Sequence, residues 1–311
     1  MNRREFIQVG AAASVLGLGC SSTRQVAARP DGGKGCKPSY HVFSKMFQPP
    51  VTKSPEELCD LMKGAGFDGI QWTVRPKGHV LPENVRAELP RLCRIAESRG
   101  LRNVSICTAI TDGFAPLSRE IAKTAADCGI TLLRPGYYFY DAKKETFRQS
   151  LDRIRRGFAS LAALGEETGV KPAYQNHSSW GPSVFGGIVW DDYECLRDLD
   201  PRYVGMEYDP MHAVYETNLS WSHGFGLIAP WIAAIDLKDF HYGLDRKNAK
   251  KMAKQMVASG EGVVPWDEVK KLQKANGVEV PYIVHFEYKF DQTDLRASVR
   301  RELEGFRRVF G

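Results

Sequence analysis

The sequence predicts an α/β fold of the closed, eight-stranded (β/α)8 barrel type, a TIM barrel, and two observations carry that prediction. From Ser39 onward, eight short runs rich in β-branched and aromatic residues alternate with longer helical stretches, the pattern of a parallel sheet with crossover helices. The eight pairs occupy about 270 residues, the size of one such barrel. An open doubly wound sheet is the alternative, yet no Gly-x-Gly-x-x-Gly follows a first strand and no Walker loop is present.

Taken in order, the strands are YHVFSKMF near Tyr40, FDGIQWTV at Phe67, LRNVSICTAI at Leu101 and ITLLRPGYYFY at Ile130. They continue with VKPAYQNH at Val170, YVGMEYDPMH at Tyr203, IAAIDLKDF at Ile232 and PYIVHFEYKF at Pro281. Between them lie helical stretches such as SPEELCDLMKGAG, VRAELPRLCRIAESRG and SLDRIRRGFASLAALGEETG. Gly66, Gly100, Gly129, Gly169 and Gly277 follow helices, where a left-handed cap needs a residue without a Cβ. One barrel domain over 39–311 is the expectation.

The segment before the barrel reads as an address. Residues 1–20 place Arg3-Arg4 before Phe6-Ile7 and a short apolar run of small residues, which resembles a twin-arginine export signal and is too short for a permanent span. Cys20, in LGLGC, resembles a lipoprotein cleavage box, although Gly17 stands where leucine is usual. Lipidation there would tether the chain to a membrane through residues 21–38, a polar Gly/Ser-rich linker. The expected location is therefore the periplasm, or a membrane surface facing away from the cytoplasm.

Composition excludes several classes. A 43% hydrophobic and 26% charged chain is neither disordered nor collagenous nor a multi-span membrane protein. The net charge of +6 hints at polyanions, but Arg3, Arg4, Arg24 and Arg29 against Glu5 put half of it in the first thirty residues. With no basic stripe interleaved with aromatics, nucleic acid is not an expected partner. Among seven cysteines no Cys-x-x-Cys occurs, and Cys59, Cys93, Cys107, Cys128 and Cys195 fall at apolar positions, as buried free thiols do.

Chemistry on such a barrel gathers at the C-terminal ends of the strands. There the sequence offers Gln175-Asn176-His177, Glu207-Tyr208-Asp209, Asp236-Leu237-Lys238 and His285-Phe286-Glu287. Alternation puts Gln175 with His177, Glu207 with Asp209, Asp236 with Lys238 and His285 with Glu287. If Gln175, Asp209, Asp236 and Glu287 face inward, three carboxylates and an amide converge, and a divalent cation would relieve their repulsion. Oxygen donors of this kind suit Mn²⁺ or Mg²⁺, with Co²⁺ or Zn²⁺ as further candidates. The structural alternative is that Asp209 or Asp236 caps a helix or pairs with Lys238 or Arg134.

Earlier loops add Arg75, Lys77 and His79 after strand two, and Arg134 with Tyr137 to Tyr140 after strand four. Arg75, His79 and Arg134 are candidates for binding the hydroxyls or a carboxylate of a small-molecule ligand, with a rim salt bridge as the alternative for Arg134. Trp180, Trp221 and Trp266 are candidates for stacking on a face of that ligand, although Trp266 in VPWDEV reads better as a packed helix start. His41, at a strand start, reads as structural.

AGFDGIQW, Asn176-His177, VGMEYDPMH, IDLKD, GEGVVPW and Glu287, in that order, give the chain a resemblance to the xylose isomerase-like barrels, the sugar phosphate isomerase/epimerase family. In that family Glu, Asp, His and Glu at the ends of strands five to eight hold a divalent metal, and a histidine three residues after the Asp touches substrate. The resemblance makes Asp209 and Glu287 ligands and His212 the substrate histidine. Gln175 stands in place of the first glutamate and Asp236 in place of the histidine. Because glutamine is no base, the family's two-base epimerisation is in doubt. One base, Glu287 or alternatively His177 or Lys238, suffices for a hydrogen shift or a β-elimination. The resemblance thus implies a metal-dependent sugar isomerase or epimerase working through an enediolate, or a lyase on 3-keto-glycosides. A non-catalytic sugar-binding barrel is the reading from another class. Barrels of this kind commonly pair, so a homo-oligomer is among the implications.

Overall fold

The structure is a computed structural model that describes residues 37–179, 183–245, 248 and 250–311. The signal, the tether and Cys20 lie outside the described residues, as does Trp180. Lys37–Gly311 forms one unit.

Eight parallel strands close into a barrel. They are β1 (Tyr40–Phe43), β2 (Gly69–Val74), β3 (Arg102–Thr108), β4 (Leu132–Arg134), β5 (Lys171–Gln175), β6 (Gly205–Tyr208), β7 (Ile232–Leu237) and β10 (Tyr282–Val284). Each strand pairs with its sequence neighbour in the barrel, and β1 closes the ring against β10 with Tyr40 opposite Tyr282. The strand interiors are buried on both faces, as expected where helices wrap a parallel sheet. Small residues set the interior. Ala173, Ala233 and Ala234 pack there with Phe43, Cys107, Leu132 and Ile283.

Helices α1 (Pro55–Ala65), α2 (Val85–Glu97), α3 (Pro116–Asp127), α4 (Phe147–Thr168), α5 (Val189–Leu196), α6 (Pro210–Thr217), α7 (Trp221–Ile228), α8 (Trp266–Ala275) and α9 (Leu295–Phe310) form the outer layer. All five expected cap glycines take positive φ, from 62° at Gly277 to 101° at Gly66. The start of α4 is fixed by Thr146 and Gln149 in a reciprocal capping box. Gly69 has a different reason for being glycine. A Cβ there would lie 2.3 Å from both the His41 ring and the Arg102 carbonyl, so the glycine makes room for His41, which is a buried structural residue.

One expectation is corrected. The run IAAIDLKDF is not a single strand, because β7 stops at Leu237 and the chain turns outward at Lys238. Asp239–Leu244 (β8) then pairs antiparallel with Met252–Val257 (β9), a hairpin outside the barrel ladder. Asp239 anchors the chain beyond the hairpin. Its carboxylate accepts from Gly260 N (3.2 Å), Val264 N (3.2 Å) and Trp266 Nε1 (3.1 Å), which holds the GEGVVPW loop against β8. A Cβ at Gly262 would fall 1.9 Å from the same carboxylate. Trp266 is thus the packed first residue of α8.

Glu302 on α9 braces the segment before that loop, accepting from Ser259 N (3.0 Å) and the Tyr288 hydroxyl (2.9 Å). Burial pushes its carboxyl up to about 7. The folded chain therefore holds a proton that the unfolded chain has released between about pH 4.5 and 7. This residue's contribution to stability falls as pH rises through that window, by about 3 kcal/mol in all. Glu302→Gln is expected to remove that slope. Urea midpoints that decline equally in both proteins between pH 5 and 8 would contradict it.

Candidate active site

At the C-terminal ends of the barrel strands opens a cavity of about 420 Å³. Of the residues expected at the site, Arg75, Arg134, Gln175, His177, His212 and Glu287 line it. Asp209, Asp236 and Lys238 lie beneath, almost wholly buried. His79 does not line it. Its ring is bonded to Thr73 Oγ1 (2.9 Å) and Ser44 Oγ (3.2 Å) and stands edge-on to Trp72, so it shapes the loop after β2.

The strands reach the floor in two steps. Glu207, Asp236 and His285 come first along β6, β7 and the segment continuing β10, and Asp209, Lys238 and Glu287 follow two residues later on the same faces. Asn176 fixes this register. It donates to the Asp209 carbonyl (3.0 Å) and accepts from the Asp209 amide (2.7 Å), locking the ends of β5 and β6 together. Asp209 also caps α6, accepting from His212 N at 3.2 Å.

In the upper step a lysine closes the ring of oxygens. The Lys238 ammonium lies 2.9 Å from Asp209 Oδ2, 3.2 Å from Glu287 Oε2 and 2.9 Å from His212 Nε2. Burial alone would lower its pKa, but Asp209, Glu287 and Asp236 outweigh burial and raise it. Lys238 therefore has protons to donate and no lone pair to accept one, which removes it from the candidate bases. Burial would likewise raise Glu287, but Lys238, His285 and Lys45 hold this carboxyl well below its ordinary range. Because Lys238 donates to Nε2 of His212, the His212 proton sits on Nδ1, facing Ser178 Oγ at 2.7 Å. Burial, followed by the Lys238 charge, keeps that ring neutral.

Gln175 is turned so that its amide nitrogen donates to Asp209 (3.1 Å) and Asp236, while its carbonyl accepts from the Tyr137 hydroxyl. The four expected ligands are thus brought together. Asp209 and Glu287, however, are bound to an ammonium, and Gln175 presents nitrogen to the carboxylates.

The lower step has a different donor set. Glu207, Asp236 and His285 each offer an atom within 4.8 Å of the others. Asp236 Oδ1 and both His285 ring nitrogens have no hydrogen-bond partner, although His285 Nε2 lies 3.2 Å from that oxygen. Burial raises both carboxyls, followed by the Asp236 charge for Glu207 and the Asp209 charge for Asp236, and each is pushed up to about 8. Orphaned buried donors of this type and two carboxyls resisting ionisation fit a divalent cation. Arg134 belongs to this step. It pairs with Glu207 at 3.2 Å, fully buried, with its guanidinium 4.3 Å from the Phe43 ring. The rim salt bridge foreseen as the alternative for Arg134 is present. Gln71, across the barrel on β2, donates to the other Glu207 oxygen at 2.7 Å.

His177 stacks on His212 with ring centroids 3.8 Å apart. Its Nδ1 faces the Ser178 carbonyl at 2.7 Å and so carries the proton, leaving the basic lone pair on Nε2. Burial, then Lys238 and Lys254, push its pKa down to about 2. Trp221 is buried within α7 and Trp266 within the α8 start, so neither presents a face to the cavity.

Lys254, on β9, is not foreseen from sequence. It lines the cavity, donates to Ser178 Oγ and lies 3.5 Å from His212 Nδ1. The signal is present, since MAKQMV follows a polar turn after FHYGL, but neither run has a clean apolar face.

A closed (β/α)8 barrel with a polar cavity at the C-terminal ends of its strands defines the class. The chain belongs to the xylose isomerase-like TIM barrel family, whose model matches residues 59–309. A search of curated protein sequences finds no match. Among solved structures, D-psicose 3-epimerase from Clostridium cellulolyticum H10, crystallised with D-tagatose, is similar at TM-score 0.66 and 10% identity. That match covers 88% of this chain and 99% of the epimerase. The 3-keto-D-glucoside 4-epimerase of E. coli is similar at TM-score 0.63 and 11% identity, covering 88% and 100%. D-allulose 3-epimerase from Methylomonas sp., in complex with D-allulose, gives 0.64 and 11%, covering 88% and 98%. At these identities the likeness is one of fold.

Proposed function

We propose that the protein is an exported sugar isomerase- or epimerase-type enzyme that removes the proton next to a sugar carbonyl and passes through an enediolate. The observation that carries this is the floor of the cavity, where an ionised carboxylate, Glu287, lies 3.2 Å from an ammonium, Lys238. Glu287 is the proton acceptor. Its depressed pKa makes it a modest base, so the developing enediolate oxygen must be stabilised where it forms. Lys238 supplies positive charge for that, held in place by its bonds to Asp209, Glu287 and His212. Tyr137, whose hydroxyl is bonded to Gln175, and His177 supply further polar contacts on the wall.

Glu207, Asp236 and His285 would hold a divalent metal, Mn²⁺ or Mg²⁺ by their oxygens, with Co²⁺ or Zn²⁺ favoured more by the histidine. Bound there, the ion would stabilise negative charge developing at the cavity floor.

Gln175 occupies the place of a second carboxylate and accepts no proton. That favours one-base outcomes, a hydrogen shift or the β-elimination of a leaving group from a 3-keto-glycoside, over two-base epimerisation. Export is supported by Arg3-Arg4 before Phe6-Ile7, and a tether through Cys20 by the LGLGC sequence.

The test uses the full chain, recovered from cells by fractionation, stripped with chelator and reloaded singly with Mn²⁺, Mg²⁺, Co²⁺ or Zn²⁺. Metal uptake near one equivalent, lost in Asp236→Asn, is expected. NMR in D2O should show solvent deuterium entering the carbon beside the carbonyl of a keto- or 3-keto-sugar. Wild-type protein that exchanges no carbon-bound hydrogen in any metal form would end the proposal, and a purely cytoplasmic product would end the export part.

A further inference from the structure

The cavity is unequal in charge. Lys45, Arg75, Arg134 and Lys254 line it, with Lys238 beneath, and Glu287 is the one carboxylate among its lining residues. Most of these cations are accounted for. Lys45 and Lys238 pair with Glu287, Lys238 also with Asp209, and Arg134 with Glu207. Among the described residues, Arg75 and Lys254 have no carboxylate within ion-pair distance. Both are half-buried, Arg75 with its guanidinium 5.8 Å from the Phe43 ring and Lys254 with its ammonium 5.1 Å from the Tyr215 ring.

Leaving cations half-buried without a counter-charge is unfavourable, and for Lys254 the strain is visible. Burial, followed by the neighbouring Lys238, pushes its pKa down to about 8. An anion in the cavity would reverse both effects.

We infer that the substrate is a sugar bearing an anionic substituent, a carboxylate or a phosphate, which Arg75 and Lys254 recognise at the wall of the cavity while the carbonyl lies over Glu287 and Lys238. This rests on the sugar-enzyme reading above and names its substrate class. Lys254 comes from a hairpin outside the barrel ladder and Arg75 from the loop after β2, so the anion is read by elements added to the barrel.

Calorimetric binding to the metal-stripped and metal-loaded full chain tests it, with matched probes: D-fructose, D-fructuronate and D-fructose 6-phosphate, then the corresponding D-tagatose set. At 50 mM salt at least one anionic probe is expected to bind tenfold or more tightly than its neutral counterpart. Whether that probe is the uronate or the phosphate tells which anion is read. The preference should shrink as salt rises, fall to within about twofold in Arg75→Met/Lys254→Met, and persist in Lys254→Arg. Neutral sugars that bind as tightly as their anionic counterparts would overturn the inference and leave the sugar-enzyme reading standing. So would a preference that survives in the double variant. Binding of none of the probes would overturn both.

Discussion

Lys238→Met is expected to cost about 3–5 kcal/mol of stability at neutral pH and to abolish turnover, the largest effect of any single substitution outside the hydrophobic core. The figure is that for breaking a buried ion network by removing one partner. It applies because Asp209 and Glu287 both depend on this ammonium, at 2.9 and 3.2 Å, and Asp209 is fully buried. Methionine fills much of the same volume, so packing loss contributes little. The origin of the deficit is checkable by pH. Without Lys238, Glu287 loses the first of the cations that hold its carboxyl down against burial, so the folded variant binds a proton more readily than the folded wild type does. Its stability should recover toward the wild type as pH falls below about 5. A deficit in urea titrations that is the same at pH 4.5 and pH 7.5 would show that shape, rather than charge, is what Lys238 provides.

Glu287→Gln is expected to lower kcat by about 10²- to 10⁴-fold, the range for loss of a general base, while sugar affinity changes only a few-fold. The amide oxygen can still accept from Lys238, which reaches Glu287 Oε2 at 3.2 Å, and the amide nitrogen on the other side gives up only the contact with the exposed Lys45 at 3.4 Å, so the cavity wall should keep its shape. Deuterium entry from solvent should fall in step with kcat. If exchange persists in Glu287→Gln and is lost in His177→Gln, the proton goes to the His177 side of the cavity. Loss of sugar binding together with turnover would assign Glu287 to binding.

Much of the fold was legible because its signals are local. Five glycines that end helices needed nothing beyond the chain around them, and all take the left-handed conformation. The hairpin was not legible. Asp239 and Phe240 follow Lys238 with no glycine or proline to mark a turn, and only the loop downstream, which Asp239 binds, explains why the chain leaves the barrel there. At the site, strand alternation placed the right side chains on the inward face. It could not say which would meet. Sequence read Asp236 beside Asp209, and Gln175 does bridge the two, but the two-residue offset also brings Asp236 together with Glu207 and His285 one step deeper, a set that alternation did not single out. It offered Lys238 as a base, because the sign of a buried pKa shift depends on partners from other strands. It weighed Arg134 between substrate and salt bridge, and only the closure of the barrel brings Glu207 within 3.2 Å.

The hairpin pairs only with itself, yet it brings Lys254 and Met256 to the cavity. The wall it supplies can therefore diverge without disturbing a single rung of the barrel ladder. Changes confined to 240–244 and 252–257 would thus alter which substrate the cavity takes while the catalytic floor stays the same. Grafting a different hairpin between Lys238 and the Asp239-bound loop is the corresponding engineering route, provided that Asp239 itself is retained.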